Sequence, residues 1–259
     1  MRSLLKRLVA LGCVSLALGI TARGQSAAQT SAKPAVAAGA ATPSADQILD
    51  RYLNAIGGRA AWEKLHSRTS LGRIDIPSQN LSGTIMIHEK APNRTLLVIV
   101  LSGATFRQAY DGTVAWTDDP KDGTRDLKDV ELTEAARDAD FYHPLDLKKL
   151  YSKFAVTGTE EINGHKCYVV EGTPPEGSAD KLYFDAGSGL LQRFVSQRHI
   201  NGSVSNVEED FDDYRDVDGV KLPFELQQTN ESAPFTIHID EMHHNVELDD
   251  SEFARPAAQ

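Results

Sequence analysis

Five Asn-Gly or Asp-Gly dipeptides separate short runs of aliphatic, β-branched and aromatic residues along most of this chain. These residue types accept the positive φ that both central positions of a type I′ turn require, and the twist of that turn matches the strands that it joins. Consecutive strands must then run antiparallel. The sequence therefore predicts a meandering sheet with turns at Asp111-Gly112, Asp122-Gly123, Asn163-Gly164, Asn201-Gly202 and Asp218-Gly219.

The first 24 residues have the pattern of a secretory signal peptide. Arg2, Lys6 and Arg7 precede an apolar stretch over residues 8–20, and this stretch is too short to span a bilayer, which needs about 20 residues. Cys13 lies inside the stretch and not at its end, which argues against lipidation. We expect cleavage near Gly24, a periplasmic or secreted protein, and no transmembrane anchor in the mature chain.

Composition divides the exported part in two. Residues 25–43 are Ala, Ser, Thr, Gly and Pro with few other residues, a composition that buries too little apolar surface to order itself. They are predicted to form a flexible linker. Residues 44–256 have the size of one β-rich domain, which can bury roughly 70% of its unfolded surface. We expect a single domain there.

The charge of the exported chain excludes several partners. Removing residues 1–24 leaves 23 basic and 37 acidic groups, a net charge of −14. Nucleic acid is not expected as a partner, because phosphate binding needs clustered positive charge. No cofactor is expected either, since the sequence contains no phosphate-binding glycine loop, dinucleotide fingerprint or His-Glu-x-x-His helix.

Helical spacing occurs in two places. Ser44 and Gln47 form a capping box before an apolar helical pattern that Gly57-Gly58 ends, and a shorter helix is predicted over residues 59–65. Helical spacing returns between Glu131 and Tyr151, with Pro144 as a second start. This insertion lies between two blocks of strands, so it can fold over one face of the sheet or over the mouth of a cavity.

Period-two patterns predict about ten to thirteen strands against about four helices, which is an α+β class. One strand is unusual because residues 96–101 are apolar at every position. An antiparallel strand normally alternates, since one of its faces meets water. Both faces of this strand must therefore be covered, either by a helix and a loop or by a helix and a cavity for an apolar ligand.

The strongest group of potential metal ligands is His238, Asp240 and His244, which would share one face of a strand. The opposite face carries Phe235 and Ile237, so a solvated histidine face is favoured over a metal site. Two further features have plain interpretations. The acidic run at residues 208–213 is interpreted as a solvated strand edge, and Cys167 as a packed thiol within a strand.

Four short motifs carry a resemblance to a known family. They are Ala55-Ile56-Gly57-Gly58, Tyr110-Asp111-Gly112 with Trp116, Tyr183-Phe184-Asp185 with Gly189-Leu190, and Asp213-Tyr214-Arg215 with residues 217–223. With them the chain resembles the exported bacterial LolA/LolB-like superfamily of outer-membrane lipoprotein carriers and receptors. The resemblance implies a curved antiparallel half-barrel whose concave face is covered by helices, with an apolar cavity between them that holds acyl chains.

The resemblance also implies a non-catalytic carrier of a hydrophobic ligand, such as a lipid or the acyl chains of a lipoprotein. From the apolar strand and the inserted helices, the candidate cavity residues are Leu97, Ile99, Leu101, Met86, Phe106, Trp116, Leu147 and Leu150. The alternate strand face, Leu96, Val98 and Val100, is an equal candidate. Two other functions remain open: an envelope protein-interaction module with a self-filled cavity, and a metal-dependent enzyme built on His238, Asp240 and His244.

Overall fold

The computed structural model describes residues 42–175, 178–200, 203–230 and 234–256. The predicted signal peptide, Cys13, most of the predicted linker and the Asn201-Gly202 turn lie outside these residues. Within the described ranges, no helix has the length and apolarity needed to cross a membrane. The single-domain boundaries 44–256 stay a prediction.

The predicted helices form, with small changes in length. Ser44 Oγ accepts a hydrogen bond from the Gln47 backbone and the Gln47 side chain accepts one from the Ser44 backbone, so the capping box is confirmed. The region predicted over residues 131–151 holds two helices, and Pro144 lies in the first turn of the second. The α-helices in the described ranges are α1 (Ala45–Ala55), α2 (Arg59–Trp62), α3 (Asp129–Asp138) and α4 (His143–Leu150).

One antiparallel sheet of thirteen strands accounts for most of the rest. The sheet is curved and not closed, which confirms the α+β class and the curved half-barrel. The strands are β1 (Ser67–Ile76), β2 (Leu81–Lys90), β3 (Arg94–Leu101), β4 (Ala104–Tyr110), β5 (Ala115–Asp119), β6 (Gly123–Asp126), β7 (Lys153–Ile162), β8 (His165–Thr173), β9 (Asp180–Asp185), β10 (Leu191–Ile200), β11 (Ser203–Val217), β12 (Val220–Asn230) and β13 (Phe235–His244).

The strand order shows how the chain travels through the sheet. From one edge to the other it is β6-β5-β4-β3-β2-β1-β13-β12-β11-β10-β9-β8-β7. The chain begins in the centre and meanders to one edge. It then crosses through α3 and α4 to the opposite edge and meanders back, so the first and last strands pair with each other.

Four of the five predicted Asx-Gly turns lie in the described residues and connect consecutive strands. At Asp111-Gly112 and Asp122-Gly123 only the glycine has a positive φ, so these two are not type I′ turns. Asn163-Gly164 connects β7 to β8 with φ values of 49° and 83°, and Asp218-Gly219 connects β11 to β12 with 52° and 85°. Both pairs have the two positive φ angles of a type I′ turn. Ser102-Gly103, between β3 and β4, adopts the same pattern without an Asx residue.

Two strand predictions need correction. The short edge strand β6 lacks the apolar alternation that indicates a strand, and the sequence analysis missed it. Pro223 predicts a break between two strands, because proline lacks the backbone N–H of a ladder, yet β12 runs continuously through it. Proline is tolerated there because β13 pairs with β12 only from Glu225 onward, so on that side no partner strand needs the missing N–H.

Two apolar clusters lie on the same face of the sheet. We call the first the helix-covered core, because α1, α2 and α4 pack on β8 to β12; Tyr52, Trp62, Leu147, Phe184, Phe194 and Phe211 are among its members. We call the second the strand-filled core, because all its members come from strands: Ile74, Ile76, Ile85, Leu97, Ile99, Leu101, Phe106, Phe235 and Ile237. Leu226 contacts both clusters.

The opposite face of β3 is covered by the end of the chain. Leu96, Ala109 and Trp116 pack there against Leu248 and Phe253, a set that we call the outer cluster. The Trp116 Nε1 atom donates a hydrogen bond to the Phe253 carbonyl at 3.0 Å. Residues 96–101 are therefore apolar at every position because each face of β3 meets a different apolar cluster.

Helix α3 bridges two distant parts of the sheet. Its Ala135 packs with Tyr110 and Ala115 of the β4–β5 region. Its last residue, Asp138, forms a 2.7 Å ion pair with Arg198 of β10, and each of these two side chains is no more than 6% exposed. Because β5 and β10 are far apart in the strand order, one helix reaches both only where the sheet curls around it.

Three of the four motifs that carried the resemblance meet at α1. The Ile56 carbonyl accepts hydrogen bonds from the Trp62 Nε1 atom at 3.0 Å and from the Lys221 backbone at 3.1 Å. A Cβ atom on Gly57, whose φ is +108°, would lie 2.4 Å from the Gly219 carbonyl oxygen. Arg51 donates to the carbonyl groups of the loop before Gly189. These motifs fix the position of α1 on the sheet.

Candidate ligand-binding cavity

A cavity of about 230 Å³ lies between the helices and the concave face of the sheet. It occupies the boundary between the helix-covered core and the strand-filled core. The helical side contributes Tyr52, Trp62, Phe141 and Leu147, and the sheet contributes Phe194, Phe211, Phe224, Ile87, Ile237 and Ile239. Both cores thus give apolar side chains to one space.

The apolar walls are held in place by local contacts. The Tyr52 ring lies 5.2 Å from the ring of Phe184, and burial raises the pKa of the Tyr52 hydroxyl, so this group stays neutral. The Tyr142 hydroxyl donates to the Leu65 carbonyl at 2.9 Å, which ties the segment between α3 and α4 to the end of the α2 region. The helical wall is therefore attached to the sheet at several points.

One polar group on the sheet side is a closed ion pair. Arg68 donates two hydrogen bonds to Glu89, at 2.5 Å from Nε and 2.6 Å from Nη2. The Arg68 guanidinium also lies 5.8 Å from the centroid of the Phe141 ring. A bidentate pair of this kind is a strong charge-assisted interaction with fixed geometry.

A second polar group lies at the C-terminal end of α3. Asp138 lines the cavity, and its carboxylate is paired with Arg198 at 2.7 Å. Burial raises the pKa of Asp138 against the opposing effect of Arg198. Glu209 of β11 also lines the cavity and is 3% exposed.

His143 completes this polar end as a neutral group. Burial, together with the positive charges of Arg137 and Arg198, lowers the pKa of His143 to about 4. The imidazole is therefore uncharged near neutral pH. Burial also raises the pKa of Asp140, which lines the cavity beside it. The polar end of the cavity is richer in carboxylates than in cations.

The eight predicted cavity residues are distributed over three places. Leu147 lines the cavity, and Leu150 packs against the helix-covered core without lining it. Four residues belong to the strand-filled core: Leu97, Ile99, Leu101 and Phe106. Met86 and Trp116 lie on the other face of the sheet with the outer cluster. Of the alternate set, Leu96 and Val98 also join the outer cluster.

The predicted metal ligands do not come together. A register shift opposite Leu71 and Gly72 leaves Asp240 unpaired between Ile239 and Glu241, so the alternation of β13 reverses there. His238 and His244 consequently face opposite sides of the sheet, and the expectation that all three share a face was wrong. A Cβ atom on Gly72 would lie 2.1 Å from the His238 carbonyl, which explains why the bulge needs glycine.

Each of these three side chains has its own polar partner. His238 lies 3.2 Å from Glu225, Asp240 accepts two hydrogen bonds from Arg73, and His244 lies 3.0 Å from Asp218. Across the described ranges, no group of three or more His, Cys, Asp or Glu side chains has an arrangement suited to a metal ion.

The sequence analysis missed the charged residues of the cavity. Glu209 belongs to the acidic run that was interpreted as a solvated strand edge, but β11 is an internal strand and Glu209 faces inward. The signal was present in the alternation, since Val207, Glu209 and Phe211 occupy the same face of β11. Arg68 had the same kind of signal, because it alternates with Ser70, Ile74 and Ile76 on one face of β1. Asp138 has no such signal, because its position depends on how α3 docks.

Comparison with solved structures places this fold among known proteins. It is similar to a DUF1329 family protein from Desulfovibrio piger, with a TM-score of 0.54, 14% identity, and coverage of 81% of this chain and 96% of that one. It is also similar to a LolA superfamily protein from Nitrosomonas europaea, with a TM-score of 0.53, 13% identity, and coverage of 83% and 99%.

A third similar structure is a putative outer membrane lipoprotein-sorting protein domain from Vibrio parahaemolyticus, with a TM-score of 0.51, 13% identity, and coverage of 80% and 94%. The sequence itself matches no family model and no curated protein. At these identities the likeness concerns the fold, and at that level the resemblance to the LolA/LolB-like superfamily is confirmed.

Proposed function

We propose that this protein is an exported, non-catalytic carrier or binding protein that holds one hydrophobic chain, from a lipid or a lipidated protein, in the cavity between its helices and its sheet. The observation that carries this proposal is the apolar cavity itself, at the junction of two packed cores. The likeness of fold to a lipoprotein-sorting domain supports it. The predicted signal peptide supports an envelope or extracellular location.

The size of the cavity favours a single chain. Sites for drug-sized ligands usually measure about 300–1,000 Å³, and this cavity, at about 230 Å³, lies just below that range. A lipid with several acyl chains would fit only with the helices displaced. The ligand is therefore one acyl or alkyl chain, or one chain of a larger lipid whose remainder stays outside.

The polar groups around the cavity support binding without catalysis. Arg68 is paired with Glu89, and one carboxylate oxygen of Asp138 is paired with Arg198. Cys167, a possible nucleophile, is fully buried in β8, and burial raises the pKa of its thiol to about 11. A thiol in that state supplies little thiolate for nucleophilic attack.

A chain-length series tests the proposal. Each methylene that enters an apolar site contributes roughly 0.8 kcal/mol, or about a fourfold gain in affinity. We expect affinity for straight-chain alcohols to rise with length and then to level off when the cavity is full, as measured by displacement of a neutral fluorescent dye. A purified protein that carries no lipid by native mass spectrometry and ignores every added alcohol would overturn the proposal.

A matched pair of variants locates the binding site. Leu147→Trp fills the cavity and is expected to weaken binding of the longest alcohols at least tenfold. Leu150→Trp lies on the same helix but outside the cavity lining, so it is the control. Ile239→Phe narrows the cavity from the sheet side and serves if the first variant folds poorly. Equal affinities for all three variants would place the ligand elsewhere.

A second function has one observation in its favour. The strand-filled core occupies much of the concave face with the protein's own side chains, as an interaction module of the envelope would require. In that case the acidic surface meets a basic envelope protein. The chain-length series separates the two functions, because a self-filled module shows no dependence of affinity on chain length.

A further inference from the structure

The polar end of the cavity has an uneven balance of charge. Asp138 and Glu209 face it as buried carboxylates, and Asp140 lies beside them. Arg198, which is 5% exposed, interacts with Asp138, Glu134 and Glu209, and Glu134 is also held by His199 at 2.8 Å. His143 adds no positive charge near neutral pH, because its pKa lies at about 4.

A single atom points to a missing hydrogen-bond donor. The Asp138 side chain is 5% exposed, and its Oδ1 atom is buried without a hydrogen-bond partner among the described residues. Arg137 Nε lies 3.8 Å from it, beyond hydrogen-bond distance. A buried acceptor without a partner is destabilising, so a ligand group that donates a hydrogen bond to it recovers stability.

The end of α3 increases the negative potential at the same place. Asp138 is the last residue of this ten-residue helix. The C-terminus of a helix carries a partial negative charge of roughly half an elementary charge, which favours cations nearby. The two cations that line the cavity have acidic partners of their own: Arg68 pairs with Glu89 at 2.5 Å, and Lys221 lies 3.5 Å from Asp216.

We propose that the cavity selects amphiphiles whose polar head donates hydrogen bonds and carries no negative charge, such as an alcohol or an ammonium group, and discriminates against carboxylate heads. The head lies against Asp138 and Glu209 while the chain extends between Ile87, Phe211 and Ile239. The inference rests on the proposed function, which supplies the apolar chain, and it adds the chemistry of the head group.

Three ligands of equal chain length test this inference. Decanol, decylamine and decanoate compete for the neutral dye at neutral pH. We expect decanol and decylamine to bind at least tenfold more tightly than decanoate, because only decanoate brings a negative charge next to buried carboxylates. The preference should persist at high salt, since buried charges are screened weakly. If the preference disappears at high salt, its cause is the acidic surface and not the cavity, and the inference is overturned.

Two isosteric variants assign the effect to named carboxylates. Asp138→Asn removes the charge and is expected to reduce the advantage of decylamine over decanoate by about tenfold. Glu209→Gln provides an independent reduction if the first variant is unstable. Asp240→Asn is the control, because Asp240 is an exposed carboxylate outside the cavity and is paired with Arg73.

The possible outcomes are distinct. If none of the three ligands displaces the dye, the proposed function fails and the inference fails with it. If all three bind and decanoate binds as tightly as the others, hydrophobic binding stands and the head-group inference is overturned. It is also overturned if the preference is the same in the Asp138 and Glu209 variants as in the control.

Discussion

The two ends of the concave face build an interior in different ways. In the strand-filled core the side chains that meet come from β1 to β4 and from β13, so residues such as Ile85 and Ile99 are fixed by the hydrogen-bonded ladders that carry them. In the helix-covered core, side chains of α1, α2 and α4, such as Tyr52, Trp62 and Leu147, pack against side chains of the strands. Helices can shift as bodies, whereas paired strands cannot shift without breaking the ladder. The cavity lies at the junction between these two regions.

The difference between the two cores explains why the cavity forms where it does. Strand side chains repeat at fixed spacings and fill a tightly curled region completely. Helices cross the remaining concave face at positions set by a few contacts, such as the Ile56 carbonyl with Lys221, and the match between a helix and a curved sheet is incomplete. Space for a ligand therefore arises beside the helices.

The largest effect is expected from Arg198, which connects α3 to β10. Arg198→Ala leaves Asp138 buried without its cation, and losing one partner of a buried ion pair typically costs about 3–5 kcal/mol. We expect a loss of this size in the free energy of unfolding by urea denaturation. Arg73→Ala, at an exposed pair with Asp240, should leave the unfolding midpoint unchanged. Equal losses in the free energy of unfolding for the two variants would mean that the attachment of α3 to β10 does not stabilise the protein.

The second-largest loss of stability is expected from a truncation in the strand-filled core. Ile99 is 2% exposed and packs only against other strand residues. Ile99→Ala creates a void that the ladders cannot close, so we expect a loss of about 3 kcal/mol in the free energy of unfolding. A loss below about 1 kcal/mol would show that this core relaxes as readily as the helical one.

The third prediction is a pH-dependent change in the free energy of unfolding, caused by Asp180. Burial raises the pKa of Asp180 to about 6, although the Tyr151 hydroxyl donates to its carboxylate at 2.7 Å. A raised pKa favours the protonated form in the folded state. The stabilising contribution is therefore complete below the unfolded pKa of about 4 and is lost as the pH rises through about 6.

The measurement compares wild type with Asp180→Asn between about pH 4 and pH 7. Because both proteins keep His143, whose lowered pKa acts in the opposite direction, the difference isolates Asp180. We expect the wild-type free energy of unfolding to fall by about 2 kcal/mol relative to the variant over this range. Parallel pH profiles would contradict the assignment.

The smallest effect is expected at the cavity wall. Leu147 is 7% exposed, but part of its surface already faces empty space. Leu147→Ala should cost about 1 kcal/mol, below the usual range for a buried leucine, because the cavity exists before the substitution. The same variant should accept a longer alcohol than wild type before affinity levels off. A loss equal to that of Ile99→Ala would mean that the two regions are packed alike.

Much of the fold could be predicted from the sequence. Asx-Gly turns, the Ser44 capping box and period-two patterns are local signals, and each produces its structure through neighbouring residues. The inserted helices were predicted for the same reason. Strand β6 and the continuity of β12 through Pro223 were not, because both depend on which side of a strand has a partner.

Little of the candidate site could be predicted. Residues 96–101 are apolar on both faces, so their pattern cannot distinguish the concave face from the outer one, and Met86 and Trp116 were grouped with residues of the opposite face. The bulge opposite Gly72 reverses the alternation of β13 and separates His238 from His244. The buried charge of Asp138 depends on the docking of α3, which no local pattern encodes.

The pairing of the first strand with the last has a consequence for how the chain is made. Each half of the sheet consists of sequential hairpins, which form quickly because their contacts are local. The contact between β1 and β13 joins opposite ends of the chain and must form last. During synthesis β1 therefore waits with an unpaired edge until β13 emerges, and such edges invite pairing with other chains. The unpaired edge of β1 is therefore the part of the incomplete sheet that is most prone to aggregation.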